Sequence, residues 1–239
     1  MLLKLDKISR IVQIKDDVVY AMGIIEVGMS EMVNICMPGT NIDIRGVVNY
    51  LDRKGVTGIA VLGDTSNLKV GHHITGLKEL PKVNIGYKVL GRIMDSIGNT
   101  IDGLDYIKAA KRKEVESIAP SIIAREPIYE QLETGLKFID ALIPIGCGQR
   151  ELIVGDPKTG KTTIVLDSII NQRYNNLLCV YVAIGQKQTT LSKIKKVLTL
   201  NNCDAFTTII FAGAGNSSVM QYIAPYAGCT IGEYFMNLG

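Results

Sequence analysis

One stretch constrains this chain more than any other: Gly155-Asp156-Pro157-Lys158-Thr159-Gly160-Lys161-Thr162. It fits the pattern G-x-x-x-x-G-K-[ST] throughout, and that spacing suits anion capture. A glycine-permitted turn points backbone N–H groups inward, and a helix opening directly after it adds the positive end of its dipole. In such a loop Lys161 reaches the β- and γ-phosphates of a nucleotide, and the Thr162 hydroxyl sits on Mg²⁺. Ordinary glycine-rich turns can share the pattern, so the surroundings decide. Glu151-Leu152-Ile153-Val154 precedes the loop as a short apolar run of strand type, and residues 163–170 follow with apolar positions at helical spacing. Strand, loop and helix in that order predict a phosphate-binding α/β unit.

The 239 residues suffice for one large domain or two small ones. Apolar residues make up 47% and charged residues 21%, the balance of a core-forming globular chain. A net charge of +3 is too small to argue for a nucleic-acid partner. The sequence has no membrane-length apolar run. Met1-Leu2-Leu3-Lys4-Leu5-Asp6 has the character of neither a signal peptide nor an Arg-rich transit peptide. Five cysteines (Cys36, Cys147, Cys179, Cys203, Cys229) are scattered without C-x-x-C spacing, most of them in apolar surroundings. Reduced core thiols are therefore expected, in preference to metal ligands. Richness in Ile, Asn, Lys and Tyr, with no Trp, points to an AT-rich genome.

Residues 1–78 read as a small all-β barrel. Strand candidates are Ile8–Ile14, Val18–Met22, Glu31–Cys36, Ile44–Leu51 and Val56–Leu62, with turns at Asp16-Asp17, Lys54-Gly55 and Gly63-Asp64. His72-His73 lacks a third metal ligand nearby and reads as a solvated loop. Residues 79–239 form the second unit, an α/β phosphate-loop domain introduced by a connecting stretch. In that stretch Val89–Asp95 is a strand candidate, and Asp95–Asn99 and Ile101–Gly103 are turns. Lys108, Lys111, Arg112 and Lys113 are expected in a solvated loop, since Tyr106 alone could stack on a base. A short helix over Thr134–Leu142 is expected to be capped by Thr134.

From Arg150 the order is β-α-β-α-β-α, which predicts a mainly parallel sheet. Leu177–Ile184 is a continuous apolar run suited to a strand buried on both faces. A helix over Thr189–Leu200 places Leu191, Ile194, Val197 and Leu198 inward and leaves Lys193, Lys195 and Lys196 to solvent. Thr207–Ala212 is the third strand, and a helix from Ser217 is expected to break at Pro225. No apolar strand ending in the Mg²⁺-holding carboxylate follows Gly160. Asp167 lies inside the loop's own helix and Glu233 in the last helical stretch. The domain is thus expected to be truncated before its Walker B strand.

Several segments together make the chain resemble the alpha subunits of F-type ATP synthases. They are Leu90–Gly103, Ala124-Arg125-Glu126-Pro127, Thr134–Gly146, Gly148–Leu152, the Gly155–Thr162 loop, Tyr181–Lys187, Ala224–Cys229 and Gly232–Phe235. The resemblance covers nearly the whole chain and is densest after about residue 88. It implies a barrel, a nucleotide-binding α/β domain and a following helical domain, with membership of a head assembled from alpha, beta and gamma subunits. It also implies ATP (or ADP) with Mg²⁺ at a non-catalytic site. The residues it assigns to the nucleotide are Gly155, Asp156, Pro157, Lys158, Thr159, Gly160, Lys161, Thr162, Thr163 and Gln186, with Thr162 on the metal. Catalytic relatives carry Glu where Gln186 stands, and an amide can hydrogen-bond a water but cannot take its proton. Binding without hydrolysis, and no catalytic residue, are expected.

The chain departs from that family at Pro157 and Lys158, where an Arg-Gln pair is usual. The resemblance also implies a helix before the barrel, a Walker B aspartate just after Gly239 and a helical domain with an arginine finger, all expected to lie outside these 239 residues. A second polypeptide carrying the remainder of alpha is therefore expected. The resemblance gives no nucleic-acid partner, and membrane association only through the assembled complex. Composition and the missing transit peptide favour the matrix side of the mitochondrial inner membrane over a bacterial cytoplasmic membrane. The alternative readings are a catalytic hexameric ATPase, such as an RNA-translocating helicase or a secretion ATPase, and a truncated product without function. Gln186 and the scarcity of barrel aromatics (Tyr20, Tyr50) speak against the first.

Overall fold

Alternating apolar residues in the first third of the chain require a sheet with one buried face, and closing that sheet on itself removes its edges. The computed structural model describes residues 9–23, 27–37, 43–52, 55–107 and 111–238. The expectations for residues 1–8, Lys54, Lys108 and Gly239 lie outside them. Strands β1 (Arg10–Lys15), β2 (Val18–Met22), β3 (Met32–Cys36), β4 (Asp43–Leu51), β5 (Val56–Val61) and β6 (His73–Gly76) form a closed barrel in the order β1-β2-β5-β4-β3-β6. Neighbouring strands run antiparallel, and β6 returns to β1 through Arg10 and His73. Ile11, Val19, Ala21, Val33, Ile35, Val48, Ile59 and Val61 fill the interior.

The connecting stretch carries β7 (Lys82–Ile85), β8 (Ile93–Met94), β9 (Lys111–Glu114), β10 (Gln131–Leu132), helix α1 (Lys137–Leu142) and β11 (Ile145–Gly146). Then follow α2 (Lys161–Asn171), β12 (Cys179–Gln186), α3 (Gln188–Leu200), β13 (Thr207–Gly213) and α4 (Ser218–Met236). β12, β13 and β8 make a parallel sheet in that order. Side chains alternate across it, so its faces bury different partners. Tyr181, Ala183, Ile209 and Phe211 pack under α2 and α3 with Ile169, Leu191, Ile194 and Leu198. Val180, Val182, Ile210 and Ala212 pack under α4 with Ile223, Ala224, Ala227 and Ile231. That second core runs on to Met32 and Val47, which fastens the barrel to the α/β sheet.

Several expectations are corrected. His73 is not in a loop: it opens β6, the strand that closes the barrel, where polar His-Ile-Thr-Gly pairs with β3 and β1. Only Ile93–Met94 of the 89–95 stretch is strand, because residues 87–89 turn as a short 3₁₀ segment. Lys111, Arg112 and Lys113 form β9 against β7, since backbone pairing does not depend on side-chain charge. Lys113 also meets Glu233 at 3.5 Å. Helix α1 starts after Leu136, not at a Thr134 cap. The Thr134 hydroxyl donates to Asp140 at 2.6 Å instead, which holds that carboxyl below its usual range. Val197 is 37% exposed, and Lys195 pairs with Asp204 at 2.7 Å where solvation alone was expected.

Helix α4 continues through Pro225. Pro225 is exposed, so the Gln221 carbonyl left without its N–H donor lies on the solvent side. Burial of Ile223, Ala224, Ala227 and Ile231 against the sheet offsets the break. Not every thiol is a core group: Cys203 is buried, Cys36, Cys147 and Cys179 are half-buried, and Cys229 is exposed. Burial pushes the Cys179 thiol up to about 11, so it stays protonated at neutral pH.

Candidate functional site

The glycine pattern becomes a loop because two of its residues take positive φ, Lys158 at 67° and Gly160 at 95°. Pro157 fixes φ ahead of Lys158, and proline followed by a left-handed residue matches a type II turn. The Thr159 hydroxyl closes that turn by donating to the Asp156 carbonyl at 2.8 Å. Gly155 allows the near side of the loop to close, since a Cβ there would sit 3.1 Å from Thr159 Oγ1. Gly160 then caps α2 without any side-chain acceptor on the helix's first N–H groups. Those donors, with the helix dipole behind them, are free for an anion.

Lys161 is the first residue of α2, and its ammonium donates to the carbonyls of Gly155 at 2.6 Å and Asp156 at 2.5 Å. An ammonium has three donors, so one direction remains for a phosphate oxygen. Thr162 and Thr163 follow on the exposed first turn. The far end of α2 is anchored, because Asn171 and Gln172 both donate to the Glu133 carbonyl, at 2.9 and 2.7 Å. Gly155 to Thr163 thus form one continuous, solvent-open cradle at a helix N-terminus.

Gln186 lies elsewhere, at the carboxyl end of β12. Gly185 has φ 65° and the register with β13 shifts between Ile184 and Gln186, which re-aims the side chain. Among the described residues Gln186 Oε1 is buried and without a hydrogen-bond partner. The Ser217 hydroxyl, just after β13, is in the same condition. Asn216 accepts from the Gly213 N–H at 2.7 Å, and Gln221 donates to the Gly213 and Asn216 carbonyls at 3.4 and 3.2 Å. These groups sit where open α/β sheets bind ligands, outside the carboxyl ends of parallel strands. Sequence reading missed Asn216, Ser217 and Gln221. The signal available was a polar Gly-Asn-Ser-Ser cluster directly after an apolar strand.

The strand expected before the loop is the main correction at the site. Residues 151–154 make no ladder pairing, and Leu152 and Val154 are 81% and 78% exposed. An extended apolar segment becomes a strand only when a neighbour supplies its hydrogen bonds, and among the described residues none does. The outer edge of β12 is likewise unpaired.

Residues 135–239 match the model of the ATP synthase alpha/beta family, nucleotide-binding domain. Over 242 residues the chain is 44% identical to the ATP synthase subunit alpha of Neorickettsia sennetsu, covering 98% of this chain and 46% of that protein. It is 43% identical over 229 residues to an ATP synthase subunit alpha 2 of Legionella pneumophila, covering 96% of this chain and 43% of that one. From residue 135 on, the chain carries a match to the nucleotide-binding domain of the ATP synthase alpha/beta family. It spans less than half the length of these relatives. The loop, Gln186 and Ser217 all fall within the matched nucleotide-binding region, and the barrel is reached by the longer alignments.

Mg²⁺ usually arrives with phosphate oxygens and several waters and needs only one or two protein ligands. Thr162 offers one hydroxyl at the helix start. No cluster of three or more His, Cys, Asp or Glu converges among the described residues. The donor set therefore fits a phosphate-borne Mg²⁺ and not a dedicated metal cage.

Proposed function

We propose that this chain is an alpha-type subunit of a proton-transporting F-type ATP synthase. It holds ATP (or ADP) with Mg²⁺ at a non-catalytic site and supports ATP synthesis by neighbouring beta subunits. The observation that carries this is the cradle itself: residues 155–160 turn so that α2 opens on uncapped N–H groups with Lys161 beside them. Lys161 and the helix N–H groups hold the phosphates, Thr162 holds Mg²⁺, and Thr163 borders the cradle. Asp156, Pro157 and Thr159 set the turn. Gln186 orients a water without abstracting its proton, because an amide has no basic oxygen at neutral pH. The bound nucleotide supplies no reaction here: it fills and stiffens the site. The family match lends no support to the helicase and secretion-ATPase readings.

The partners we propose are the beta and gamma subunits and a second polypeptide carrying the remainder of alpha. Supporting the last are the unpaired 151–154 segment, the open edge of β12 and the nearly full exposure of Ile118 (100%) and Ile123 (97%). Each large apolar side chain left in water forfeits about 1.5–3 kcal/mol, so this face calls for cover. No helix among the described residues is long and apolar enough to cross a membrane. We place the chain at the membrane through the assembled complex, on the matrix side of a mitochondrial inner membrane, a reading supported by the compositional bias. Domain limits of 1–78 and 79–239 belong to the same proposal.

Mass spectrometry of the native synthase tests it. A chain of this length recovered together with beta, gamma and a polypeptide matching the later half of alpha is the expected result. Recovery of the synthase without this sequence, in any alpha-type chain, overturns the proposal.

A further inference from the structure

Helix α4 takes its cap from the barrel. A helix leaves its first N–H groups without internal partners, and a serine at the N-cap usually satisfies one of them. Ser217 stands at that position in α4, yet its side chain caps nothing and its hydroxyl is buried without a partner. Asp17 supplies the cap instead. Its carboxylate accepts from the Ser218 N–H at 3.0 Å and from the Ser218 hydroxyl at 3.2 Å. The negative charge also suits the positive end of the helix dipole. Asp17 lies in the two-residue turn between β1 and β2, beside Asp16 at φ 52°. Its carbonyl accepts from the Val61 N–H at 2.9 Å, which ties the turn to β5. The barrel therefore fixes where α4 begins. That beginning reaches the polar edge described above. Gln221, on the first turn of α4, donates to the Gly213 and Asn216 carbonyls, and its Oε1 lies 3.7 Å from where a Cβ on Gly185 would sit. The Ala214 N–H donates to the Gln186 carbonyl at 3.1 Å. A series of contacts thus runs from a barrel turn to Gln186.

We infer that Asp17 is a positioning residue for the nucleotide site: by capping α4 from the barrel it holds the polar edge around Gln186 in its binding arrangement. This rests on the nucleotide-holding reading and extends it to a residue of the barrel. Asp17 acts through the helix and need not touch the ligand. Without the cap the first turn of α4 frays, and a ligand then binds only the fraction of molecules in which that turn is formed.

The test uses Asp17→Ala and Asp17→Asn in the full chain, purified with the polypeptides bound to it. ATP affinity and amide exchange at residues 218–221 are measured for each. Asp17→Ala is expected to weaken ATP binding about fivefold and to speed exchange at those amides. Asp17→Asn keeps an acceptor oxygen and should stay within about twofold of the parent in both readouts. Asp102→Asn breaks a pair at the amino end of β8 and should leave ATP affinity unchanged, which separates positioning from a general loss of stability. Asp17→Ala binding as tightly as the parent would overturn the inference. So would an Asn variant as weak as Ala, or weakened binding with unchanged exchange at residues 218–221. Lys161→Ala is run beside them. If it weakens binding and Asp17→Ala does not, only the role of Asp17 falls; if the parent itself binds no ATP, the nucleotide-holding reading falls and the inference with it.

Discussion

Val182 on β12 and Gly228 on α4 meet so closely that a Cβ on Gly228 would lie 2.4 Å from Val182 Cγ2. The helix that carries half the sheet's cover is therefore seated by the absence of one carbon atom. Gly228→Ala forces α4 off the sheet or Val182 out of its rotamer, an overpacking cost of about 1–3 kcal/mol. The urea midpoint should fall accordingly. Adding Val182→Ala should restore part of it, and a double-mutant cycle with no coupling would contradict the contact.

The Arg92–Asp102 pair sets an acid limit. Asp102 accepts from Arg92 at 2.6 and 3.0 Å, and that bond holds its carboxyl at about 2 against an ordinary 3.8. A depressed folded pKa contributes stability that is present above the unfolded value and lost as pH falls through the folded one. The window is therefore from about pH 4 down to about pH 2, and the contribution is about 2 kcal/mol. Urea midpoints measured across that window should drop more steeply for the parent than for Asp102→Asn. Parallel slopes would show that the pair contributes nothing.

Thr162 is the one loop side chain assigned to the metal. Thr162→Ala should leave affinity for Mg²⁺-free ATP nearly unchanged and remove most of the gain on adding Mg²⁺, about tenfold or less. Titrations with and without EDTA check this. Equal losses in both conditions would mean that the hydroxyl supports the loop and not the ion.

Taken alone, these 239 residues should behave as a sticky, partly ordered protein. Leu152, Val154, Ile118, Ile122 and Ile123 are all more than three-quarters exposed. Expressed alone, it should bind ANS and elute in large aggregates, and co-expression with a polypeptide matching the later half of alpha should abolish both. A monodisperse, ANS-silent chain would refute the need for cover.

The parts legible in the sequence are those whose signal is local. The loop spacing, the β1–β5 alternation and the helical period of α3 depend on neighbours a few residues away. What stayed hidden depended on partners distant in sequence. β6 is polar and exists because β1 and β3 need closing. β9 is a run of charges that β7 recruits through its backbone. Pro225 looks like a stop until the buried face of α4 is counted. Residues 151–154 have the composition of a strand but lack the neighbour that would make them one. Ser217 and Gln221 gain meaning only once β12 and β13 lie side by side.

The central claim is that the Gly155–Thr162 cradle holds a nucleotide. A fluorescent-ATP titration of the assembled complex, carried out for the parent chain and for Lys161→Ala, tests it most directly. The account predicts saturable, Mg²⁺-enhanced binding at this chain that Lys161→Ala weakens by about tenfold or more. Two superimposable titration curves would contradict it.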